Sequence, residues 1–400
     1  MLTLDLVYKA STVLNDVIRK TPLIPTDKIN PDCNVYLKPE NLQVTGSFKV
    51  RGAGFKISQL SDDEKGRGVI ACSAGNHAQG VALAARRYGI PALICMPAGA
   101  PISKVEATRE LGAEICLVPG VYDDAYARAI QLNKEKGMAF IHPFDDEQVI
   151  AGQGTIGMEI LGENPDIDVV FVPIGGGGLA SGVAFAIKTL KPSVRVIGVQ
   201  AEGAASMKGS RDHNQIESLA SVLTIADGIA VKEPGVHTFE LCQKYVDEVV
   251  TVSEDEICAA ILTLIEQHKL IAEGAGAVSV AAAMFNKVEL KGKNVCCIVS
   301  GGNIDVTILS RVINRGLLKG GRTTEMLIEM PDRPGSLLGL CNVICRFGAN
   351  IISIHHERNG ESPDVNSCNL RVVLETRNQQ HIRDIHVGIE AAGYDILQEK

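Results

Sequence analysis

The feature that most constrains the fold is an alternation of apolar and amphipathic runs between residues 68 and 202. The apolar runs GVIACSA, PALICMP, AEICLVP and AFIHPF alternate with the helix-like runs NHAQGVALAARRYG, KVEATRELG and YDDAYARAIQLNKEKG. The rhythm resumes with DVVFVPIG, GLASGVAFAIKTLKP and VRVIGVQAE. This spacing is typical of βαβ units, and strands that are apolar on both faces indicate helices on both sides of a sheet. We therefore predict an α/β protein with open, largely parallel sheets.

The segments before and after this alternation have less regular patterns, and not all of them can be assigned to a helix or a strand. Residues 3–20 have the pattern of an amphipathic helix, and a strand-like NVYLKPE precedes the stretch TGSFKVRGA. Residues 203–253 give no clear assignment. Two helical runs follow, EDEICAAILTLIEQHKL and GAGAVSVAAAMFN, and then come the strand NVCCIVS and a helix that ends near Lys319.

The pattern changes after the glycine pair at 320–321, which is the clearest linker in the chain. TEMLIEM, NIISIHHERNG, SCNLRVVLET and YDILQE are strand-like, and LLGLCNVICRFG and HIRDIHVGIEAAG are helix-like. Their βαββαβ order is typical of a ferredoxin-like domain. Because 400 residues exceed one core, we predict two domains, residues 1–320 and 321–400.

Composition excludes several classes of function. The net charge is −8 and aromatic residues make up only 4%, which argues against a nucleic-acid partner. No apolar run reaches the roughly 18 residues of a membrane span and no signal peptide is evident, so we expect a cytoplasmic protein without a membrane partner. The eleven cysteines have no metal-type spacing. Five of them lie in apolar runs and are predicted to be buried: Cys72, Cys95, Cys116, Cys296 and Cys297.

Lys49 is the first candidate for chemistry. Ser47 is a suitable helix N-cap, which would place Lys49 in the first helical turn, where the helix dipole disfavours a positive charge. A lysine so placed and partly desolvated has a lowered pKa and serves as a nucleophile or base. On this stretch alone, an ordinary solvated surface lysine is an equally good interpretation.

Three loops follow predicted strands and open predicted helices, the position at which open α/β sheets bind ligands. They are SAGNH (residues 73–77), GGGGL (175–179) and SGGN (300–303). Four successive glycines allow several N–H groups to point at one anion, which favours a phosphate site over a plain tight turn. A dinucleotide site is a competing interpretation, because Gly175, Gly177 and Ala180 also fit G-x-G-x-x-A and Glu202 ends the next strand.

A phosphorylated cofactor that needs a lysine explains all of these motifs. Through SFKVRGA, SAGNHAQG, GGGGL and SGGN, residues 5–320 resemble the fold type II (tryptophan synthase β-like) pyridoxal 5'-phosphate enzymes, most closely the threonine/serine dehydratases. The resemblance implies two open parallel-sheet subdomains, with a small one of about residues 45–145 inserted in the larger.

The resemblance also implies a role for each motif residue. Lys49 would be the Schiff-base lysine and Phe48 would lie close to the cofactor ring. Asn76 would bind the phenolic oxygen, and Ser300 would face the pyridine nitrogen. The phosphate would be held by the N–H groups of Gly175, Gly176, Gly177, Gly178 and Leu179. The substrate carboxylate would bind to Ser73, Ala74, Gly75, Asn76 and His77, although a packing or capping role suits His77 better.

The implied reaction is elimination of water from L-threonine to give 2-oxobutanoate and ammonia, as in isoleucine biosynthesis, with L-serine as a poorer substrate. A neutral hydroxyl at Ser300 cannot hold the pyridine protonated, which favours prompt loss of a β leaving group, and Lys49 would take the α-proton. The alternatives are a serine dehydratase, a threonine synthase or racemase, and, in another class, a nucleotide-binding regulatory protein.

At two positions the sequence differs from related enzymes, and these differences bear on racemase activity and on a metal site. Serine racemases carry a serine at the position of Ala74, whose hydroxyl is the second base, so we expect racemisation to be minor. Some relatives place a carboxylate six residues after a metal-binding glutamate, but here Lys208 follows Glu202 at that spacing. We therefore predict no metal site there, and Lys49 as the only base.

The C-terminal domain resembles an ACT domain through its element order and the turn PDRPGSL, residues 331–337. ACT domains commonly pair and bind amino acids, which implies a homo-oligomer, a dimer or tetramer, controlled by an amino-acid or nucleotide effector. His355, His356 and Glu357 suggest a metal site, but histidines on a strand surface are the more common explanation.

Overall fold

The computed structural model describes residues 1–357 and 366–399. The chain divides into two compact units, Met1–Asp305 and Val306–Lys400. The linker predicted at Gly320 and Gly321 lies beyond this division, because the helix Val306–Lys319 groups with the second unit. None of the helices in the described ranges is both long and apolar enough to cross a membrane.

The first unit contains the helices and strands of the predicted α/β region. Its helices are α1 (Leu4–Leu14), α2 (Lys49–Ser58), α3 (Asp62–Arg67), α4 (Asn76–Arg87), α5 (Ile102–Glu110), α6 (Tyr122–Lys136), α7 (Glu147–Glu163), α8 (Gly178–Leu190), α9 (Ser206–Asp212), α10 (Val236–Tyr245), α11 (Glu254–Thr263) and α12 (Gly274–Met284). Its strands are β1 (Ile24–Thr26), β2 (Asn34–Lys38), β3 (Val69–Cys72), β4 (Ala92–Pro97), β5 (Glu114–Val118), β6 (Ala139–Phe140), β7 (Val169–Pro173), β8 (Arg195–Ala201), β9 (Glu248–Val252) and β10 (Asn294–Ile298).

These strands form two open sheets. The larger has the order β1-β2-β10-β7-β8-β9, in which only the β1–β2 pair is antiparallel. The smaller has the order β5-β4-β3-β6 and is entirely parallel. The strands of the smaller sheet lie between β2 and β7 in the sequence. Strands β3 and β7 are buried along their whole length, which explains their continuously apolar sequences.

Several predicted elements differ from the structure at their ends. The predicted strand AFIHPF is reduced to β6, and residues 141–144 form a loop instead. The unassigned region 203–253 contains α9, α10 and the edge strand β9. The predicted helix from residue 254 leaves α-helical geometry after Thr263 and continues as one π-helical turn, Leu264–His268.

Glycines allow α2 and α7 to approach closely. A Cβ atom on Gly152 would lie 2.7 Å from the carbonyl oxygen of Arg51 and 2.7 Å from the Cα atom of Gly52. A larger residue would push α2 away from α7. This contact fixes the position of the helix that begins with Lys49.

A buried ion-pair network holds the same helix to the large sheet. The guanidinium group of Arg51 donates to both carboxylate oxygens of Glu40 at 2.8 Å and also binds Glu159. The ammonium group of Lys38, on β2, lies 2.7 Å from Glu159. Arg51, Glu40 and Lys38 are fully buried. Arg51 of the SFKVRGA motif is therefore a structural residue whose charge is compensated by buried carboxylates.

The second unit is a small antiparallel sheet packed on helices. It comprises α13 (Val306–Lys319), β11 (Thr323–Pro331), α14 (Ser336–Arg346), β12 (Asn350–Glu357), β13 (Ser367–Glu375), α15 (Gln379–Ala391) and β14 (Asp395–Glu399). The strand order is β12-β13-β11-β14. From β11 onward the succession is the βαββαβ order predicted for a ferredoxin-like domain. The last three residues of the predicted strand NIISIHHERNG, 358–360, lie outside the described residues.

Four of the five cysteines that were predicted to be buried are buried in the structure. All eleven lie in the described part of the chain, and none forms a disulfide. Cys72, Cys95, Cys296 and Cys297 are buried, as predicted. Cys116 is only partly buried, because the outer strand β5 is less completely covered by helices than β4.

Candidate active site

The carboxyl ends of the parallel strands in the first unit surround one cavity of about 870 Å³. The loops SAGNH, GGGGL and SGGN all contribute to its wall, as does the start of α2. The lining includes all of the predicted site residues, namely Phe48, Lys49, Ser73, Ala74, Gly75, Asn76, His77, Gly175, Gly176, Gly177, Gly178, Leu179 and Ser300. Residues that lie up to 252 positions apart in the sequence are thus brought to one place.

Lys49 is the first residue of α2, and its amine lies inside the cavity. Its Nζ atom donates a 2.8 Å hydrogen bond to the carbonyl oxygen of Pro143 and lies 5.3 Å from the centre of the Phe48 ring. Burial lowers the pKa of this amine to about 8, although the carboxyl group of Glu273 acts in the opposite direction. Lys49 is therefore not a solvated surface lysine, and its neutral amine is accessible near physiological pH.

The prediction that Ser47 caps this helix is wrong. Phe48 occupies the N-cap position, and the backbone of Ser47 pairs with Gly301 in an isolated bridge. This pairing turns the Ser47 side chain inward, where its Oγ atom is buried without a hydrogen-bond partner among the described residues. The lowered pKa of Lys49 comes from burial rather than from a capped helix terminus.

The glycine loop connects β7 to α8 and provides an anion site. Within the described part of the chain, no hydrogen bond is donated by the backbone N–H groups of residues 175–179. Gly177 adopts a φ of +101°. A Cβ atom on Gly176 would lie 2.5 Å from the Phe144 ring. The loop thus needs glycine for its shape, and its N–H groups remain available to a phosphate at the helix N-terminus.

The loop SAGNH connects β3 to α4. The Oγ atom of Ser73 accepts a hydrogen bond from the Gly75 N–H at 3.1 Å, which tightens the turn. The ring of His77 is 3% exposed and its Nε2 atom lies 2.8 Å from the carbonyl oxygen of Ile141. Burial, aided by the charge on Lys49, lowers the pKa of His77 to about 3, so this histidine is neutral. Its geometry matches the packing role that the sequence favoured.

A chain of amides fixes the orientation of Asn76. The Nδ2 atom of Asn303 donates to the carbonyl oxygen of Thr45 and to Oδ1 of Asn76, each at 2.8 Å. Because Asn303 must donate to a backbone carbonyl, Oδ1 of Asn76 is the acceptor in this pair. The Nδ2 atom of Asn76 then donates to Oε1 of Glu273 at 2.6 Å. One N–H of Asn76 remains for another acceptor in the cavity.

Glu273 is a buried acid that sequence reasoning missed. It precedes α12 and is 4% exposed. Burial raises the pKa of this carboxyl group to about 7, and the negative charge of Asp227 adds to the rise. Asp227 itself forms a 2.8 Å ion pair with Lys104 at the cavity wall. The cavity therefore holds, besides Lys49, a second group with a pKa near neutrality, and the expectation that Lys49 is the only base stays a prediction.

Ser300 follows β10 and lies on the floor of the cavity. It is 3% exposed, and its Oγ atom donates to the carbonyl oxygen of Ala275 at 3.2 Å. A hydroxyl group rotates about its C–O bond, so Ser300 can donate to another acceptor in the cavity instead. The side chain stays uncharged, so it cannot act as the counter-ion of a protonated ring nitrogen.

The loop after β6 is a further part of the site that the sequence did not predict. Its members His142, Pro143 and Phe144 all line the cavity. The Nδ1 atom of His142 accepts from the Asp145 N–H at 2.8 Å, and burial lowers the pKa of this imidazole, so it is neutral. No sequence signal marks the Pro143 carbonyl as the partner of Lys49, because it is a backbone group.

Comparison with known proteins identifies the family. The model of the family described as "Pyridoxal-phosphate dependent enzyme" matches residues 14–301. This chain is a pyridoxal-phosphate dependent enzyme. It is 49% identical to an L-threonine ammonia-lyase of Thermotoga maritima over 398 residues, which are 99% of each chain. It is also 44% identical over 403 residues to an L-threonine ammonia-lyase of Geobacter sulfurreducens, with all of both chains covered.

Solved structures agree on the fold of this enzyme. Threonine deaminase isoform 2 of Solanum lycopersicum, in its processed form, superposes with a TM-score of 0.73 at 40% identity, covering 78% of this chain and 88% of that one. Maize serine racemase superposes with a TM-score of 0.75 at 34% identity, covering 79% of this chain and 98% of that one. The predicted fold type II architecture and its pyridoxal 5'-phosphate cofactor are confirmed.

The donors and the amine in the cavity fit this cofactor. The undonated N–H groups of the glycine loop suit a phosphate, and the Lys49 amine suits an aldehyde carbon. The competing dinucleotide interpretation needs Glu202 as a ribose ligand, but Glu202 is exposed and absent from the cavity wall. Lys208 stands six residues after Glu202, where some relatives carry a metal-binding carboxylate. Its ammonium group forms an ion pair with Asp212 at 2.8 Å.

Proposed function

We propose that this enzyme is an L-threonine ammonia-lyase that converts L-threonine to 2-oxobutanoate and ammonia, and L-serine to pyruvate less well. The observation that carries the proposal is the Lys49 amine, which has a lowered pKa and shares one cavity with the backbone N–H groups of residues 175–179, which donate no hydrogen bond within the described part of the chain. The near-complete coverage of two relatives named L-threonine ammonia-lyase supports the same activity.

Each part of the cavity has a distinct role in this proposal. Lys49 would hold the cofactor covalently, the N–H groups of residues 175–179 would hold its phosphate, and Phe48 would pack against its ring. The remaining N–H of Asn76 would donate to the phenolic oxygen, since the amide is already oriented by Asn303. Ser300 would face the ring nitrogen. When bound, the cofactor withdraws electrons from the α-carbon of the substrate and so acidifies its proton.

The residues of the chain then bind the substrate and move its protons. The loop Ser73–His77 would bind the carboxylate, chiefly through backbone N–H groups. The neutral Lys49 amine takes the α-proton, which its lowered pKa permits near neutral pH. Hydroxide leaves the β-carbon with a proton, as water. The released enamine tautomerises to an imine, and one water is consumed when this imine is hydrolysed. Threonine is thus converted to one 2-oxobutanoate and one ammonia, with no net change in oxidation state.

Ala74 favours elimination over racemisation. It lies in the cavity wall, in the loop between Ser73 and Gly75, and has no hydroxyl group to donate a proton. Racemisation needs a proton donor on the face opposite Lys49. The alternative of a serine dehydratase remains, because nothing in the cavity wall distinguishes a β-methyl group by itself. A nucleotide-binding regulatory protein without turnover is disfavoured, since it gives Lys49 no role.

The second unit supports a proposal about regulation. Its βαββαβ order and the turn at Pro331–Leu337 are typical of ACT domains, so we propose that it binds an amino-acid or nucleotide effector and pairs with a second copy in a homo-oligomer, a dimer or tetramer. We propose residues 321–400 as the regulatory domain and 1–320 as the catalytic domain, with residues 45–145 as its small subdomain.

Competition between L-threonine and L-serine, with and without isoleucine, tests the proposal. We expect a higher kcat/KM for threonine and an altered rate of threonine turnover with isoleucine, valine, threonine or AMP. A higher kcat/KM for serine would identify a serine dehydratase. Loss of any effector response after deletion of residues 321–400, with turnover retained, would assign regulation to the second unit; unchanged response would remove that role.

A further inference from the structure

Three metal-binding side chains meet at one end of the sheet in the second unit. Met330 on β11 pairs with Cys368 on β13, and His356 on β12 pairs with Leu370 on β13. Cys368 and Leu370 are two residues apart, so the side chains of Cys368 and His356 lie on the same face of the sheet. Asp332 follows Met330 by two residues at the start of the turn that leads into α14.

The ligand atoms of these three side chains are close together. The Nε2 atom of His356 lies 2.9 Å from the Sγ atom of Cys368. The Asp332 carboxylate, the His356 imidazole and the Cys368 thiol each offer one atom, and all three atoms lie within 4.8 Å of one another. In a tetrahedral zinc site, Zn–S and Zn–N bonds of about 2.3 and 2.1 Å place the two ligand atoms about 3.5 Å apart. Binding would therefore require shifts of less than about 1.5 Å.

The combination of ligands selects a class of metal. A thiolate, an imidazole and a carboxylate suit Zn²⁺ and Co²⁺, whereas Mg²⁺ and Ca²⁺ prefer sets of oxygen ligands. Cys368 is 1% exposed, while Asp332 and His356 are exposed, so an ion can enter from solvent. Three protein ligands leave one of four positions to a water molecule.

The two residues that flank His356 in the sequence, His355 and Glu357, do not belong to this cluster. The adjacent His355 faces the other side of the sheet, where it pairs in register with Arg371. Glu357 accepts from the Nε atom of Arg371 at 3.3 Å. Within the described residues, the three side chains form the only group of this kind close enough to hold a metal ion. The histidine pair noted in the sequence therefore separates into one ligand and one surface residue.

We propose that Asp332, His356 and Cys368 form a transition-metal site for Zn²⁺ or a similar ion in the second unit. The Cys368 thiol donates a 3.6 Å hydrogen bond to the carbonyl oxygen of Met330. On metal binding the thiol loses its proton to solvent, and a bond to the metal replaces this hydrogen bond. The ion connects strands β11, β12 and β13 and holds the turn that begins at Asp332. All three ligands belong to the second unit, whereas the residues that line the cavity around Lys49 belong to the first.

Titration of the chelator-treated, full-length enzyme with Co²⁺ tests this site. Tetrahedral Co²⁺ has visible d–d bands at longer wavelengths than the cofactor, and thiolate ligation adds a near-ultraviolet charge-transfer band. We expect saturation at one Co²⁺ per chain and displacement of the bands by Zn²⁺. His356→Ala, Asp332→Asn and Cys368→Ser are each expected to weaken binding at least about tenfold, because loss of even an outer-shell partner of a ligand weakens metal binding about 10–100-fold.

Matched controls separate this site from the other cysteines and histidines. His355→Ala and Cys345→Ser change an adjacent histidine and an exposed thiol, and both should bind Co²⁺ as the wild type does. His356→Ala and Asp332→Asn alter exposed side chains, so they keep the test valid if Cys368→Ser fails to fold. Absence of the bands in the wild type, or equal affinity in His356→Ala and His355→Ala, would overturn the proposal.

Discussion

The Nδ2 atom of Asn76 lies 2.6 Å from Oε1 of Glu273, and this buried carboxyl group faces the same cavity as the Lys49 amine. The two ionisable groups have pKa values moved toward each other, to about 8 for Lys49 and about 7 for Glu273. Both shifts have the same main cause, which is the removal of a charge from water. The cavity therefore shifts both groups toward their neutral forms, so that each exchanges a proton within about one pH unit of neutrality.

The first prediction concerns Glu273→Gln and the pH dependence of stability. Because folding raises the pKa of Glu273 from 4.5 to about 7, the folded state binds more protons between these pH values. Stability due to Glu273 is therefore present at low pH and falls as pH rises through this window, by about 3 kcal/mol in total. Glutamine keeps the acceptor for Asn76 and cannot ionise. Denaturant unfolding of the cofactor-free protein should show the variant gaining stability relative to wild type from pH 5 to pH 8, and parallel curves would refute this account.

The second prediction concerns the phosphate site. Gly176→Ala introduces a Cβ atom 2.5 Å from the Phe144 ring. Relief of this overlap must shift the loop or the ring at a cost of about 1–3 kcal/mol. We expect affinity for pyridoxal 5'-phosphate, measured by equilibrium dialysis, to fall about tenfold or more. Gly162→Ala on α7 is the control, because a Cβ atom there meets nothing within 4 Å. Equal affinities for the two variants would contradict the assigned role of the loop.

The third prediction concerns Arg51. Arg51→Met leaves the carboxylate of Glu40, which is fully buried, without its cation. Loss of one partner of a buried pair costs about 3–5 kcal/mol, and urea unfolding should register a loss of this size. The exposed Arg87→Met on α4 should change stability by less than about 0.5 kcal/mol. A loss at Arg51 no larger than at Arg87 would mean that the network contributes little.

The fourth prediction concerns Ala74. Ala74→Ser adds a hydroxyl group to the cavity wall, at the position where racemases carry their second base. We expect the variant to form D-serine from L-serine, measured by chiral chromatography, at a rate above the wild type. The double variant with Lys49→Ala should form none. If Ala74→Ser forms no D-serine while still eliminating threonine, the absence of a hydroxyl is not what suppresses racemisation.

The sequence predicted the parts of the site that are continuous in the chain. The glycine loop and the SAGNH loop were identifiable because strand, loop and helix follow one another within a few residues, and the backbone geometry depends on glycine. Lys49 was identifiable as a candidate, but its environment was not. The isolated bridge between Ser47 and Gly301, far apart in sequence, decides where the Ser47 side chain points.

Groups that act through distant contacts could not be predicted. Glu273 is 197 residues from Asn76, and neither residue has a sequence pattern that links it to the other. Asn303 belongs to the SGGN motif, but it orients Asn76 only because it also donates to the backbone carbonyl of Thr45. Every residue type has such a carbonyl, so the sequence does not mark this contact. The start of the segment 139–144 was correctly predicted as strand, but its continuation forms cavity wall because β6 pairs with β3 over only two residues.

The most direct test of the central claim is turnover of L-threonine by the cofactor-loaded enzyme and by its Lys49→Ala variant. The account predicts that the wild type has a visible absorption band from the bound cofactor and releases 2-oxobutanoate and ammonia in equal amounts. It predicts that Lys49→Ala, folded by circular dichroism, loses both the band and the turnover, whereas the exposed Lys134→Ala retains both. A wild type that stays colourless and inactive after addition of pyridoxal 5'-phosphate, or a Lys49→Ala variant with undiminished turnover, would contradict the account.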